Sequence, residues 1–177
     1  MTEIRTPRLQ LRAFTVADYE AAQVGDDALA AHLGVPIAAG WLDFPEALTY
    51  WIDLIRADPA LIPWAMYGYF DRSSGGLLGG GGFKGRPAEP TGTVEIGYGL
   101  APAARGRGLA TEAAAALVAW AYAQPGVGLV LTHTLPTETA STAVLRRAGF
   151  AHTGEEMDPD DGLVWRRECP RPASGVA

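Results

Sequence analysis

Between Thr91 and Ala123 the hydrophobic period changes within a few residues, and this change restricts the fold more than any other feature of the chain. In TVEIGYGL, Val94, Ile96, Tyr98 and Leu100 fall on one face and Thr93, Glu95, Gly97 and Gly99 on the other, the two-residue period of a strand. From Leu109 the Ala-rich run to Ala123 carries an apolar line through Leu109, Ala113, Ala116, Leu117 and Trp120, the period of a helix. The connection is the glycine-rich APAARGRG. Glycines there let backbone amides approach a ligand, and the first-turn amides of a helix have no internal partner and carry the positive end of its dipole. Such a loop can cradle a phosphate, although a plain tight turn with a solvated Arg pair would have the same local sequence.

The remaining chain supplies layers on which that unit can pack. Arg8 to Phe14 reads as a strand and Thr15 to Gly25 as a helix. Pro45 to Ala57 has Leu48, Trp51, Ile52 and Ile55 at helical spacing and stops before Asp58 and Pro59. Ile62 to Phe70, Leu77 to Phe83 and Thr91 to Leu100 predict an antiparallel meander. Gly128 to Thr134 reads as a buried strand and Thr139 to Ala148 as a short helix closed by Gly149. Phe150 then opens a hairpin with DPDDG at its tip and Leu163 to Glu168 as its return strand. We expect one domain over residues 1–169 and a loose tail over 170–177.

Composition narrows the function classes. With 177 residues, 48% hydrophobic and 19% charged, the chain has enough apolar surface for a core without disulfides or a structural metal. No run approaches the ~20 apolar residues of a membrane span, and the charged start MTEIRTPRLQLR lacks the apolar segment of a signal peptide. The lone Cys169 suits a reducing compartment, so a cytoplasmic location is expected. A formal charge of −6 disfavours nucleic acid as a partner. His32, His133 and His152 have no paired-ligand spacing, so no metal site is expected.

Two nucleotide motifs are absent: no Gly-Lys-Ser/Thr run exists, and GRGLAT lies past mid-chain without the third glycine of a dinucleotide fingerprint. Arg105, Gly108 and Ala110 instead match the Arg/Gln-x-x-Gly-x-Gly/Ala signature, and the chain resembles the GNAT superfamily of N-acetyltransferases. Glu95 to Ala113 and the later ASTAVLRRAGF from Ala140 to Phe150 are similar to the ribosomal-protein alanine acetyltransferase branch, as is the opening TPRLQLRAF. The resemblance implies an α+β fold whose mixed, mostly antiparallel sheet of about seven strands is flanked by helices on both faces.

It also implies acetyl-CoA as cofactor, with acetyl moved to a primary amine by direct attack in a ternary complex. The residues it assigns to the cofactor are Gly97, Tyr98, Gly99, Leu100, Arg105, Gly106, Arg107, Gly108, Leu109, Ala110, Thr111, Thr139 and Ser141. Glu95, at the end of the groove left by Gly97 and Gly99, is the candidate base through water; a solvated strand carboxylate is the alternative. Ser141 is expected near the cofactor sulfur, with helix capping as its other role.

The chain departs from the family at two places. Leu145 stands where relatives carry a tyrosine acid, and Glu138, Thr139 and Ala140 stand where relatives carry an Asn, with Thr139 able to replace one hydrogen bond. Arg146 and Arg147 are weaker phosphate candidates than Arg105 and Arg107, and Cys169 is a poor nucleophile in a frayed region. Trp41, Phe44 and Trp51 fall in the segment that walls the family's acceptor pocket, unless they are core. The acceptor is left open among a protein N-terminus, free amino acid, polyamine and aminoglycoside, and the chain is read as monomer or homodimer. A non-catalytic acyl-CoA binding or sensing module that keeps the cradle but has lost turnover is the alternative function, motivated by the missing Asn, which in the family would bind the pantetheine arm, and the missing Tyr.

Overall fold

The computed structural model, which describes residues 2–171, orders the chain as β1 (Glu3–Arg5), β2 (Leu9–Ala13), α1 (Val16–Val24), α2 (Asp26–Leu33), α3 (Ala47–Ala57), β3 (Met66–Asp71), β4 (Leu77–Phe83) and β5 (Thr93–Leu100). Then follow α4 (Leu109–Ala123), β6 (Leu129–Thr134), α5 (Ala140–Arg147), β7 (Ala151–Asp158) and β8 (Gly162–Cys169). The eight strands form one sheet in the order β1-β2-β3-β4-β5-β6-β8-β7, antiparallel throughout except between β5 and β6. The extra strand relative to the expected seven is β1, whose residues pair with Gln10 to Arg12 of β2.

Strand alternation sends side chains to two separate cores. On one face Leu9, Leu11, Tyr67, Tyr69, Val94 and Ile96 pack with Leu109, Ala113, Leu117 and Ala121 of α4 and Leu145 of α5. On the other, Phe14, Phe70 and Leu77 pack with Tyr19 of α1, Leu29 of α2 and Leu48, Ile52 and Ile55 of α3. Helices therefore flank both faces, as expected. No helix of the described residues is long and apolar enough to cross a membrane.

Local chemistry explains where the elements start and stop. Thr15 and Asp18 close a capping box at the start of α1, and Thr139 and Thr142 close one at the start of α5. Gly149, at φ 95°, turns the chain out of α5. The expected strand from Ile62 divides instead: Pro59–Trp64 is a 3₁₀ turn opened by the Asp58 side chain, and the strand begins only at Met66. Pro63 has no N–H to give a sheet ladder. The unexpected α2 lies between Gly25 and Gly34, both at positive φ.

Cys169, expected in a frayed region, is a buried end residue of β8 paired with Val130. Arg171, expected in the tail, is held: its guanidinium donates to the carbonyls of Tyr122 at 2.9 Å and Val127 at 2.8 Å. The rest of that expected tail, 172–177, lies outside the described residues.

Candidate active site

The parallel pairing of β5 with β6 covers only Thr93 to Glu95 against Leu129 to Leu131. Beyond it β6 continues along β8 to Thr134, whereas Ile96 to Leu100 continue along β4 alone. The sheet thus divides after Glu95, leaving one edge of Gly97 to Leu100 without a neighbouring strand.

A cavity of about 540 Å³ fills that division. Tyr98 to Leu100 form one wall, Arg105, Gly106 and Gly108 with the first turn of α4 the end, and Thr139 to Ser141, Val144 and Arg147 the opposite wall. Gly106 and Gly108 have φ of 74° and 77°, values that L side chains rarely adopt, and a Cβ on Gly106 would meet only open space. Gly108 is the N-cap of α4 and provides no side-chain hydrogen bond, and the Thr111 hydroxyl is buried with no partner. The end of α4 therefore presents unpaired donors to a cavity bordered by Arg105 and Arg147, a fit to an anion.

The loop is fixed from behind. Glu112, in the same first turn, accepts from the Thr6 hydroxyl at 2.6 Å, the Arg8 amide at 2.8 Å and Arg8 Nε at 2.6 Å. Arg8 Nη1 in turn donates to the Arg107 carbonyl at 2.6 Å. Burial would raise the Glu112 carboxyl, but the Thr6 and Arg8 hydrogen bonds outweigh it and hold it below the ordinary value. Arg105 is braced likewise, donating Nε to the Leu100 carbonyl at 2.8 Å.

Where β5 faces α5, the Tyr98 hydroxyl lies 3.0 Å from Ser141 Oγ and donates to the Ser141 carbonyl at 3.1 Å. Burial raises the Tyr98 pKa, opposed by Ser141 and the charge of Arg167, so the phenol is protonated at neutral pH.

A second cavity of about 190 Å³ lies on the α1–α3 face of the sheet. Its floor is glycine: Gly80 pairs with Gly99 and Gly82 with Gly97 across the β4–β5 ladder, and directly paired residues share a face. Leu42, Phe44, Leu48, Trp51 and Met66 wall it, with Lys84 at its rim. Asp43, Tyr98 and Gly99 line both cavities, so the two meet above β5.

Residues 8–151 match the family of the acetyltransferase (GNAT) domain. The chain belongs to the GNAT acetyltransferase family. Solved structures of this family share its fold at low identity. RimL, the ribosomal L7/L12 alpha-N-protein acetyltransferase in complex with coenzyme A, has a TM-score of 0.69 at 19% identity, covering 96% of this chain and 98% of that one. The ribosomal-protein-S5-alanine acetyltransferase of Vibrio fischeri has a TM-score of 0.67 at 14% identity, covering 97% and 98%. Aminoglycoside acetyltransferase AAC(6')-Ib, in complex with coenzyme A and kanamycin, has a TM-score of 0.63 at 18% identity, covering 92% and 95%. A search of curated proteins finds no significant match.

Within this GNAT fold the residues singled out by sequence divide into three groups. Tyr98, Gly99, Leu100, Arg105, Gly106, Gly108, Leu109, Ala110, Thr111, Thr139 and Ser141 all line the larger cavity, and Gly97 lines the smaller. Arg107 lines neither: its carbonyl is bound by Arg8 and its guanidinium lies 3.9 Å from Asp71 Oδ2, while Arg147 borders the larger cavity instead. Glu95 is on the expected face but also lines neither cavity, its Oε1 lying 2.6 Å from Lys84 Nζ and 3.1 Å from His133 Nδ1.

Two further expectations are corrected. Capping of α5 falls to Thr139, so the Ser141 hydroxyl is not the cap, and the Thr139 hydroxyl is engaged with Thr142. Leu145, in the slot where relatives carry a tyrosine, is fully buried, and the phenol beside the α5 wall is that of Tyr98 of β5. Trp41 is core, donating Nε1 to Asp26 at 3.0 Å, whereas Phe44 and Trp51 wall the smaller cavity. Sequence reasoning missed Asp43 and the Gly80–Gly82 part of the floor; the run LLGGGGF, with four glycines inside a strand, was the available signal for the floor.

Proposed function

We propose that this protein is an acetyl-CoA dependent N-acetyltransferase that moves an acetyl group directly to a primary amine. One observation carries the reading: two cavities, one ending at the open N-terminus of α4 and one floored by glycine, meet at Tyr98 and Gly99. Acetyl-CoA supplies an acetyl group activated as a thioester, and a sulfur that departs with the bonding pair as the C–N bond forms. The amides of α4's first turn with Arg105 and Arg147 would hold its diphosphate, and the free edge of Gly97 to Leu100 its extended arm.

The Tyr98 and Ser141 hydroxyls, which line the larger cavity, would be the donors to the departing sulfur. Because a thiolate of pKa ~8.5 leaves readily, hydrogen bonding there suffices. The acceptor enters the smaller cavity and must arrive as a neutral amine. At pH 7 this costs about 1.1 kcal/mol for an α-amine of pKa ~7.8 and about 4.6 kcal/mol for a lysine of pKa ~10.4. The thiol of Cys169 does not compete for the acetyl group, being buried, raised in pKa by burial and outside both cavities, which supports direct attack by the amine.

A panel of peptide N-termini, amino acids, monoamines, polyamines and aminoglycosides tests this, with free thiol release and product mass as readouts. Amine-dependent thiol release with a mass gain of one acetyl group supports the reading. Tight acetyl-CoA binding with no turnover on any amine would favour a sensing module instead.

A further inference from the structure

Asp43 belongs to the irregular segment between α2 and α3, yet it is the only carboxylate lining either cavity among the described residues. Its Oδ2 lies 2.4 Å from the point a Gly99 Cβ would occupy, so the absence of a side chain at Gly99 is what lets the carboxylate rest on β5. Its Oδ1 is 3.8 Å from Arg105 Nη2, and the side chain remains 44% exposed. The other charged or titratable groups lining the two cavities are Arg105, Arg147, Lys84, Tyr19 and Tyr98. None of them can accept a proton from an ammonium at neutral pH, and Glu95 is already shared by Lys84 and His133.

We propose that Asp43 receives the acceptor amine, pairing with the incoming ammonium and taking a proton from it, and that the acceptor is a singly charged amine on a compact apolar or aromatic body. The inference rests on the acetyltransferase reading above. The N–H bond breaks with its electron pair kept by nitrogen, an O–H bond forms at Asp43, and the exposed carboxyl passes that proton to water. The nitrogen's second proton, released once the C–N bond exists, would pass to the departing sulfur, with the Tyr98 and Ser141 hydroxyls as hydrogen-bond donors at the α5 wall. The body chemistry follows from the walls. Phe44, Trp51, Leu42, Leu48 and Met66 offer apolar contact in about 190 Å³. A second ammonium would find no further carboxylate there and would approach Lys84.

The test uses wild type, Asp43→Asn and Asp43→Glu with acetyl-CoA, phenethylamine as the monoamine and spermidine as the polyamine. Calorimetry should give Asp43→Asn an acetyl-CoA affinity within about threefold of wild type, while its kcat/KM for phenethylamine falls about 100-fold. The deficit should shrink as pH rises and the amine loses its proton unaided, and Asp43→Glu should recover about tenfold of the loss. Wild type should prefer phenethylamine to spermidine. Turnover by Asp43→Asn within threefold of wild type, preference for spermidine, or acetyl-CoA binding without turnover of either amine would each overturn the proposal. Failure of wild type to bind acetyl-CoA would remove the acetyltransferase reading itself.

Discussion

Replacing Gly97 by Val separates the needs of the fold from those of the site. Gly97 lies in a strand, has no positive φ, and an added Cβ would have no atom within 4 Å, because it would project into the smaller cavity. The folded protein therefore has room for the side chain, and the unfolded chain loses conformational freedom, a gain of about 0.4–1 kcal/mol. For a protein of this size that corresponds to a melting temperature higher by about 1–4 °C. The same side chain places three carbons in a cavity of about 190 Å³, where overlap with an acceptor costs about 1–3 kcal/mol, or roughly 5- to 150-fold in acceptor kcat/KM.

Gly81, one strand away, is the control. A Cβ there would lie 2.3 Å from the Gly97 carbonyl and 2.5 Å from the Tyr69 hydroxyl, so Gly81→Ala should lower stability by about 1–3 kcal/mol. Differential scanning calorimetry and steady-state kinetics with the best amine of the panel measure both effects. A Gly97→Val protein that melts well below wild type, or that acetylates the amine with unchanged kinetics, would refute the assignment of this cavity to the acceptor.

Glu112→Gln should cost about 1–3 kcal/mol, since it weakens the bonds to Thr6 and Arg8. Because the folded-state pKa of Glu112 is depressed, its stabilisation is present above the unfolded pKa and lost as pH falls through the folded one. Urea unfolding across pH 2–7 should show a smaller acid-side loss in the variant, and parallel curves would contradict this. Tyr98→Phe should lower kcat about tenfold while leaving acetyl-CoA affinity unchanged, and an unaltered kcat in single-turnover measurements would remove its role at sulfur. The Cys169 thiol, 6% exposed and raised in pKa by burial, should react with a disulfide reagent only when the protein is unfolded; rapid reaction of the native protein would contradict its placement.

The strand, loop and helix from Thr93 to Ala123 were legible because each has its own hydrophobic period, and the glycines of the loop mark positive φ. What the sequence hid depends on contacts far apart in the chain. Arg107 and Arg147 are alike as residues, but Arg8 and Asp71 draw Arg107 away from the cavity, a consequence of β2 and β3 lying beside the loop. The pairing of Tyr98 with Ser141 spans 43 residues and exists only because the sheet divides after Glu95. Alternation put Tyr98 on the core face, and a core face ceases to be core where the neighbouring strand departs. Asp43 gave no signal, since its segment has no period, and its position follows from a missing side chain at Gly99. The apolar run before Phe70 was misread for a local reason: Pro63 breaks it into a 3₁₀ turn and a shorter strand.

The central claim is that the open end of α4 holds the diphosphate of acetyl-CoA and so directs the thioester to Tyr98. Diffraction from crystals grown with acetyl-CoA tests it most directly. We predict diphosphate oxygens within about 2.7–3.2 Å of the α4 first-turn amides, with the sulfur beside Tyr98 and Ser141. Coenzyme density lying elsewhere on the molecule, with those amides facing only water, would contradict the account.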